Sequence, residues 1–83
     1  MTHTLTAHAR DAMQRRGIQA DWLERALLRP QRREPDALDA DLEHRLLAIP
    51  EFGNRVLHVI VNVGAHPERV VTAFFDRRLR GDR

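Results

Sequence analysis

The chain opens on an alternation, with Met1, His3 and Leu5 set against Thr2, Thr4 and Thr6. A period of two with threonine enriched predicts a short strand at a sheet edge. The period then changes to that of a helix. From Ala7 to Arg16, the residues Ala9, Ala12, Met13 and Arg16 fall along one stripe, Thr6 stands where an N-cap belongs, and Gly17 supplies a stop. Ile18 resumes the chain, and Asp21 to Arg29 places Trp22, Leu23, Ala26 and Leu27 on one apolar face before Pro30 forbids continuation. Two helices meeting at a tight glycine turn are therefore expected.

The next segment, Gln31 to Asp41, is polar and contains Pro35, Asp36, Asp39 and Asp41, so it reads as a short extended piece followed by a surface loop. Glu43 to Ile49, Arg55 to Val63 and Arg69 to Arg77 are runs of β-forming residues. They are separated by Pro50-Glu51-Phe52-Gly53-Asn54 and Gly64-Ala65-His66-Pro67, both hairpin-loop compositions. In the middle run Leu57, Val59, Val61 and Val63 form a clean apolar face that should lie against the helices, while Val56, His58, Ile60 and Asn62 form a mixed one. The segment from Arg77 to Arg83 is basic, lacks a core-forming pattern, and is expected to fray. The fold expected is α+β: a short N-terminal strand, then a two-helix hairpin packed on an antiparallel β-meander of three to four strands. It forms a single domain over 1–83, with a core of about 3–77 and a basic tail over 78–83.

At 83 residues the chain holds one compact core and not two. A domain near this size buries only roughly 60% of the surface its unfolded chain exposes, so a partner chain or self-association stays open. With 42% hydrophobic and 31% charged residues, and no apolar run near the length of a membrane span, the composition is that of a globular domain without a membrane partner. Met1 to Ala9 lacks the basic-then-apolar pattern of a secretory signal, which makes the cytoplasm the default expectation. Cysteine is absent, excluding disulfides, thiolate nucleophiles and cysteine-based zinc sites. All 14 basic side chains are Arg and none is Lys, against 12 acids. Guanidinium forks suit bidentate phosphate contacts, although an Arg-only set also follows from GC-rich coding.

His8 is the first candidate for chemistry. With Thr6 as cap it sits in the first helical turn, where the helix dipole disfavours the imidazolium and leaves a neutral ring able to act as a base. Asp11 and Arg15 share its helix face and can supply an orienter and a phosphate clamp, or simply form a solvated charged face. His58 and Thr72 are the second pair. Both lie on the meander and become cross-strand neighbours if the last two strands pair in a suitable register, or else they occupy the less buried sheet face. Arg45, Arg55 and Arg69 enter the same region, and Arg10 projects from another side of the first helix; these four are the candidate nucleic-acid contacts, or guards against edge pairing. The histidines show no metal-ligand spacing, and no phosphate loop, serine-nucleophile elbow or Walker sequence is present, so no metal or cofactor is expected. Met13 to Leu23 loosely resembles the spacing of a helix-turn-helix, but Met13 replaces the small residue, Gln19 replaces a preferred cap, and a third helix is missing.

Thr6-Ala7-His8-Ala9, Met13 and Arg16-Gly17-Ile18 together resemble the opening of a small bacterial family of domains of unknown function whose members begin T-x-H-A-x-x-R-M-x-x-R-G-I. The resemblance continues through a second helix ending at Pro30 and through Val70-Val71-Thr72-Ala73, matching V-V-T-x. It covers about His3 to Arg77. That family in turn resembles the RelE/BrnT-like toxin group, in which two N-terminal helices pack on an antiparallel sheet and many members are ribonucleases paired with an antitoxin. The resemblance implies metal-independent RNA cleavage, in which a base activates a ribose 2′-hydroxyl and Arg stabilises phosphoryl charge. Carried over, His8 is the base or acid, Arg16 a structural or phosphate-facing guanidinium, and Thr72 a hydrogen-bonding group near the site. Partners implied are a cognate antitoxin or another small protein, and RNA. One position departs from the pattern, Ala12 standing where the family has Arg, so that Arg15 or Arg10 would have to substitute. The alternative is a non-catalytic regulatory module that binds protein or nucleic acid.

Overall fold

A computed structural model of the chain describes residues 3–80. The order of elements is β1 (His3–Leu5), α1 (Ala7–Arg16), α2 (Ala20–Leu28), β2 (Arg32–Pro35), β3 (Leu42–Ile49), a 3-10 turn (Pro50–Phe52), β4 (Arg55–Asn62) and β5 (Glu68–Arg80). The five strands form one sheet in the order β1-β5-β4-β3-β2, and both helices pack on one of its faces.

Each helix boundary has a local cause. Thr6 Oγ1 accepts from the Ala9 amide at 3.0 Å, capping α1, and the same hydroxyl donates to the Val71 carbonyl at 3.0 Å, so one side chain both starts the helix and ties it to β5. Gly17 adopts φ 64°, a left-handed conformation that closes α1 while the Ile18 amide returns to the Met13 carbonyl at 2.9 Å. Ile18 is then buried in one core with the α2 face of Trp22, Leu23, Ala26 and Leu27, with Leu57, Val59 and Val61 of β4 and with Val70 and Ala73 of β5, where α2 packs on β3 and β4 and α1 on β5. The clean face of the middle strand thus lies against the helices as expected. Trp22, Phe52 and Phe75 close the far end of this core, with centroid separations of 4.9–6.0 Å.

The sheet departs from the simple meander in three places. It has five strands and is mixed, because β1 pairs parallel with β5, His3 opposite Glu68 through Leu5 opposite Val70; the intervening helices and hairpins supply the long connection a parallel pair requires. The short extended piece expected before the loop is Arg32–Pro35, which the sheet takes in as β2, pairing antiparallel with β3, and its charged side chains suit an exposed edge. Arg77 to Arg80 do not fray; they belong to β5, with Arg80 opposite Arg55, while 81–83, like Met1 and Thr2, lie outside the described residues. No helix among the described residues is long and apolar enough to cross a membrane.

The helix-side face also holds a cation. Arg45 is 1% exposed and lies across from Val59. Its Nε donates to Glu43 at 2.7 Å, one terminal nitrogen donates to the Leu27 carbonyl at 3.2 Å, and the other reaches both Glu68 oxygens at 3.2 Å. The last turn of α2, the middle of β3 and the start of β5 are joined by this one side chain. Breaking a buried pair by removing one partner leaves the remaining charges poorly compensated. Arg45→Met should therefore lower unfolding free energy by about 3 kcal/mol in urea titration; a loss below about 1 kcal/mol would show that the carboxylates rehydrate without the guanidinium.

Candidate functional site

Beyond Val70, β5 has no strand on its outer side, since β1 ends at Leu5, and α1 covers this stretch. A bulge between Ile60 and Val61 leaves Val71 unpaired in register, so its carbonyl takes the Thr6 hydroxyl. At the next residue the exposed His8 ring meets Thr72, Nε2 to Oγ1, at 3.1 Å. At the next again, Arg16 donates to the Ala73 carbonyl at 2.8 Å. Three side chains of α1 and its cap thus read three successive residues of a strand end, and His8, Arg16 and Thr72, far apart in sequence, share one edge. Arg15 is elsewhere, its Nε donating to Asp11 at 2.6 Å on the exposed face of α1. Asp11 is therefore committed to Arg15 rather than placed as an orienter for His8.

His58 belongs to the opposite, helix-free face of the sheet. Register sets Thr72 across from Ile60 and Phe74 across from His58, so His58 and Thr72 are diagonal neighbours and not a direct pair. The Phe74 ring stacks on His58 at 4.8 Å between centroids. His58 Nδ1 bonds Asp76 at 3.1 Å, its Nε2 meets His44 Nδ1 at 2.6 Å, and His44 Nε2 bonds Asp36 at 2.7 Å. Asp76 in addition accepts three bonds from the Arg78 backbone and guanidinium.

The outer protons in this chain can be placed. The Arg78 contacts hold the Asp76 carboxyl far below the ordinary carboxylate range, and the bond from His44, joined by the Leu38 and Asp39 amides, lowers that of Asp36. Both outer partners are then acceptors, so His58 Nδ1 and His44 Nε2 each carry hydrogen. The two inward nitrogens, His58 Nε2 and His44 Nδ1, share a contact of 2.6 Å, and burial pushes the His58 pKa down. Both His58 nitrogens are engaged within the protein, and neither is free to meet a substrate.

Of the four arginines expected at nucleic acid, Arg45 is buried and committed internally, which removes it from the surface. Arg10, Arg55 and Arg69 are exposed, and none forms an ion pair with a carboxylate among the described residues. The sequence reading missed His44, Asp36, Asp76 and Arg78. A signal for the first was present: a hairpin centred on Phe52 sets Leu46 across from His58 and makes His44 its diagonal neighbour.

A family model described as a domain of unknown function, DUF4258, matches residues 5–75. The chain belongs to the DUF4258 family. The matched stretch contains α1 with His8, α2, and the strand positions of His44, His58 and Thr72, and it stops just short of Asp76. Comparison with curated proteins and with solved structures finds no match. Among the described residues of this DUF4258 domain, no group of three or more histidine, aspartate or glutamate side chains is placed to hold a metal ion.

The lowered His58 pKa fixes the sign of a pH effect. A histidine harder to protonate in the folded chain than in the unfolded one stabilises fully above about pH 6.5, the unfolded value, and stability falls as pH drops below it. The lowered Asp36 and Asp76 groups add a further loss below about pH 4. Thermal unfolding between pH 7 and 5 should therefore show a declining midpoint in the wild type and a flatter one in His58→Gln; equal slopes would remove His58 as the source.

Proposed function

We propose that the domain is a metal-independent ribonuclease of toxin–antitoxin type, acting at the α1–β5 edge. The observation that carries this reading is the exposed His8 ring held 3.1 Å from the Thr72 hydroxyl, with Arg16 anchored on the adjacent carbonyl. The bond to Thr72 at Nε2 fixes the ring and leaves Nδ1 as the position for proton transfer. His8 removes the proton of a ribose 2′-hydroxyl, the 2′-oxygen attacks the neighbouring phosphorus to close a 2′,3′-cyclic phosphate, and the 5′-oxygen departs as a hydroxyl, taking its proton from water. Arg16 spends one N–H on Ala73 and keeps its remaining donors for the phosphoryl oxygens, where charge grows in the transition state. The two-helix-on-sheet order is that of the RelE/BrnT-like toxin group, which the family carrying the T-x-H-A and R-G-I elements resembles, and this supports the same substrate. A cognate antitoxin is the partner that this reading implies.

The second reading is a binding module without catalysis, and a specific observation favours it: Thr6, His8 and Arg16 all fasten α1 to β5, which is reason enough for their presence in a small domain. Cleavage of mixed RNA by purified protein, with EDTA where ribosomes are absent and with magnesium where they are present, separates the two. His8→Ala should lower the rate by about 100-fold or more, while the folded fraction by circular dichroism stays unchanged. Cleavage that survives His8→Ala, or none by the wild type in either condition, rejects the ribonuclease; salt-sensitive RNA binding that survives the same substitution then identifies the binding module.

A further inference from the structure

At the other end of β5 the register slips again. Val56 faces Asp76 but its neighbour Arg55 faces Arg80, so residues 77–79 are extra and bow out of the ladder. Leu79 folds back over Leu46, Ala48 and Val56. Between this bow and the β3–β4 turn lies an open cavity of about 360 Å³, lined by Gly53, Arg55, Phe75, Asp76, Arg77 and Leu79. That volume sits at the small end of the range for small-molecule sites.

The charge in this cavity is not balanced within it. Asp76 is the carboxylate in its wall, and its oxygens already accept three bonds from Arg78 and one from His58. Glu51, the acid of the adjoining turn, is held by Arg25. Arg55 and Arg77 therefore face the cavity without a carboxylate partner among the described residues. Arg55 is also positioned: its guanidinium carbon lies 4.9 Å from the Phe52 ring centroid and 5.3 Å from that of Phe75. Packing against the two rings restricts its rotamers while leaving its N–H edge available, which lowers the entropy cost of gripping an anion. Two guanidiniums beside an apolar wall match a phosphoryl group attached to a sugar and base better than a bare carboxylate.

We propose that this cavity is a phosphate-binding site for a nucleotide, with Arg55 and Arg77 on the phosphoryl oxygens and Phe75 and Leu79 against the attached sugar or base. The phosphate can come from a mononucleotide or from an RNA strand. The site is separate from the α1–β5 edge and needs no cleavage activity. Amide chemical shifts of the isotope-labelled full chain, followed at Gly53, Asn54 and Arg77 in low salt with EDTA, provide the test. The probes are inorganic phosphate, adenosine monophosphate, adenosine and a short single-stranded RNA. Saturable shifts are expected with the phosphate-bearing probes and not with adenosine. Arg77→Gln, whose side chain is exposed and has no carboxylate to lose, should weaken binding at least tenfold with its ligand-free spectrum otherwise preserved, and Arg55→Gln should do the same. An RNA that binds more tightly than the mononucleotide, with the same loss in Arg77→Gln, assigns the site to a backbone phosphate. Absence of saturable shifts with every phosphate probe, adenosine binding as tightly as its monophosphate, or binding undiminished in both arginine variants overturns the proposal.

Discussion

The last turn of α2 delivers its Leu27 carbonyl into the protein interior, where nothing but a side chain can satisfy it. Arg45 does so from β3, and it can lie there, under the helix, only because Glu43 and Glu68 supply negative charge from two strands. A core of this size has few other ways to join the second helix to both halves of the sheet, since the apolar contacts of α2 fall mainly on β3 and β4. Glu68, at the start of β5, also approaches His3 at 3.5 Å on β1. Polar contacts thus run from the helix end to the outermost strand, and the edge on which His8 and Thr72 meet begins two residues after the one where β1 ends its pairing.

The parts of this fold legible in the sequence are those with local causes. Thr6, Gly17 and Pro30 mark the helix limits because capping, positive φ and the missing amide act within a few residues. Alternation in Leu57 to Val63 reports a face because side-chain direction in a strand is local too. What escaped are features of pairing between distant segments. Parallel addition of β1, incorporation of charged Arg32–Pro35 as an edge strand, and extension of β5 to Arg80 are decided by partners and by bulges, which leave little trace in composition.

The same division separates the two histidine sites. His8 stood out because it follows a cap and falls in a recognisable pattern, and the strand residue it touches, Thr72, is one that the residue pattern pairs with His58 instead. The His44–His58 contact depends on register and its carboxylate partners on a loop and a bulged strand, so only one of its members was singled out. Its burial also changes its meaning. Both nitrogens of the His58 ring are engaged and Phe74 stacks on one side of it, so the ring ties together the uncovered face of the sheet.

The Thr6 hydroxyl has a temporal consequence. Its bond to Val71 spans 65 positions, so the contact closes almost the whole chain, whereas the β3–β4 and β4–β5 hairpins close short loops. Loop-closure entropy orders such events, favouring near neighbours before distant ones. The first helix can form early as a fluctuating segment, but its docking waits for a finished β5. The His8–Thr72 edge therefore exists only where α1 is docked on a β5 already in register with β4.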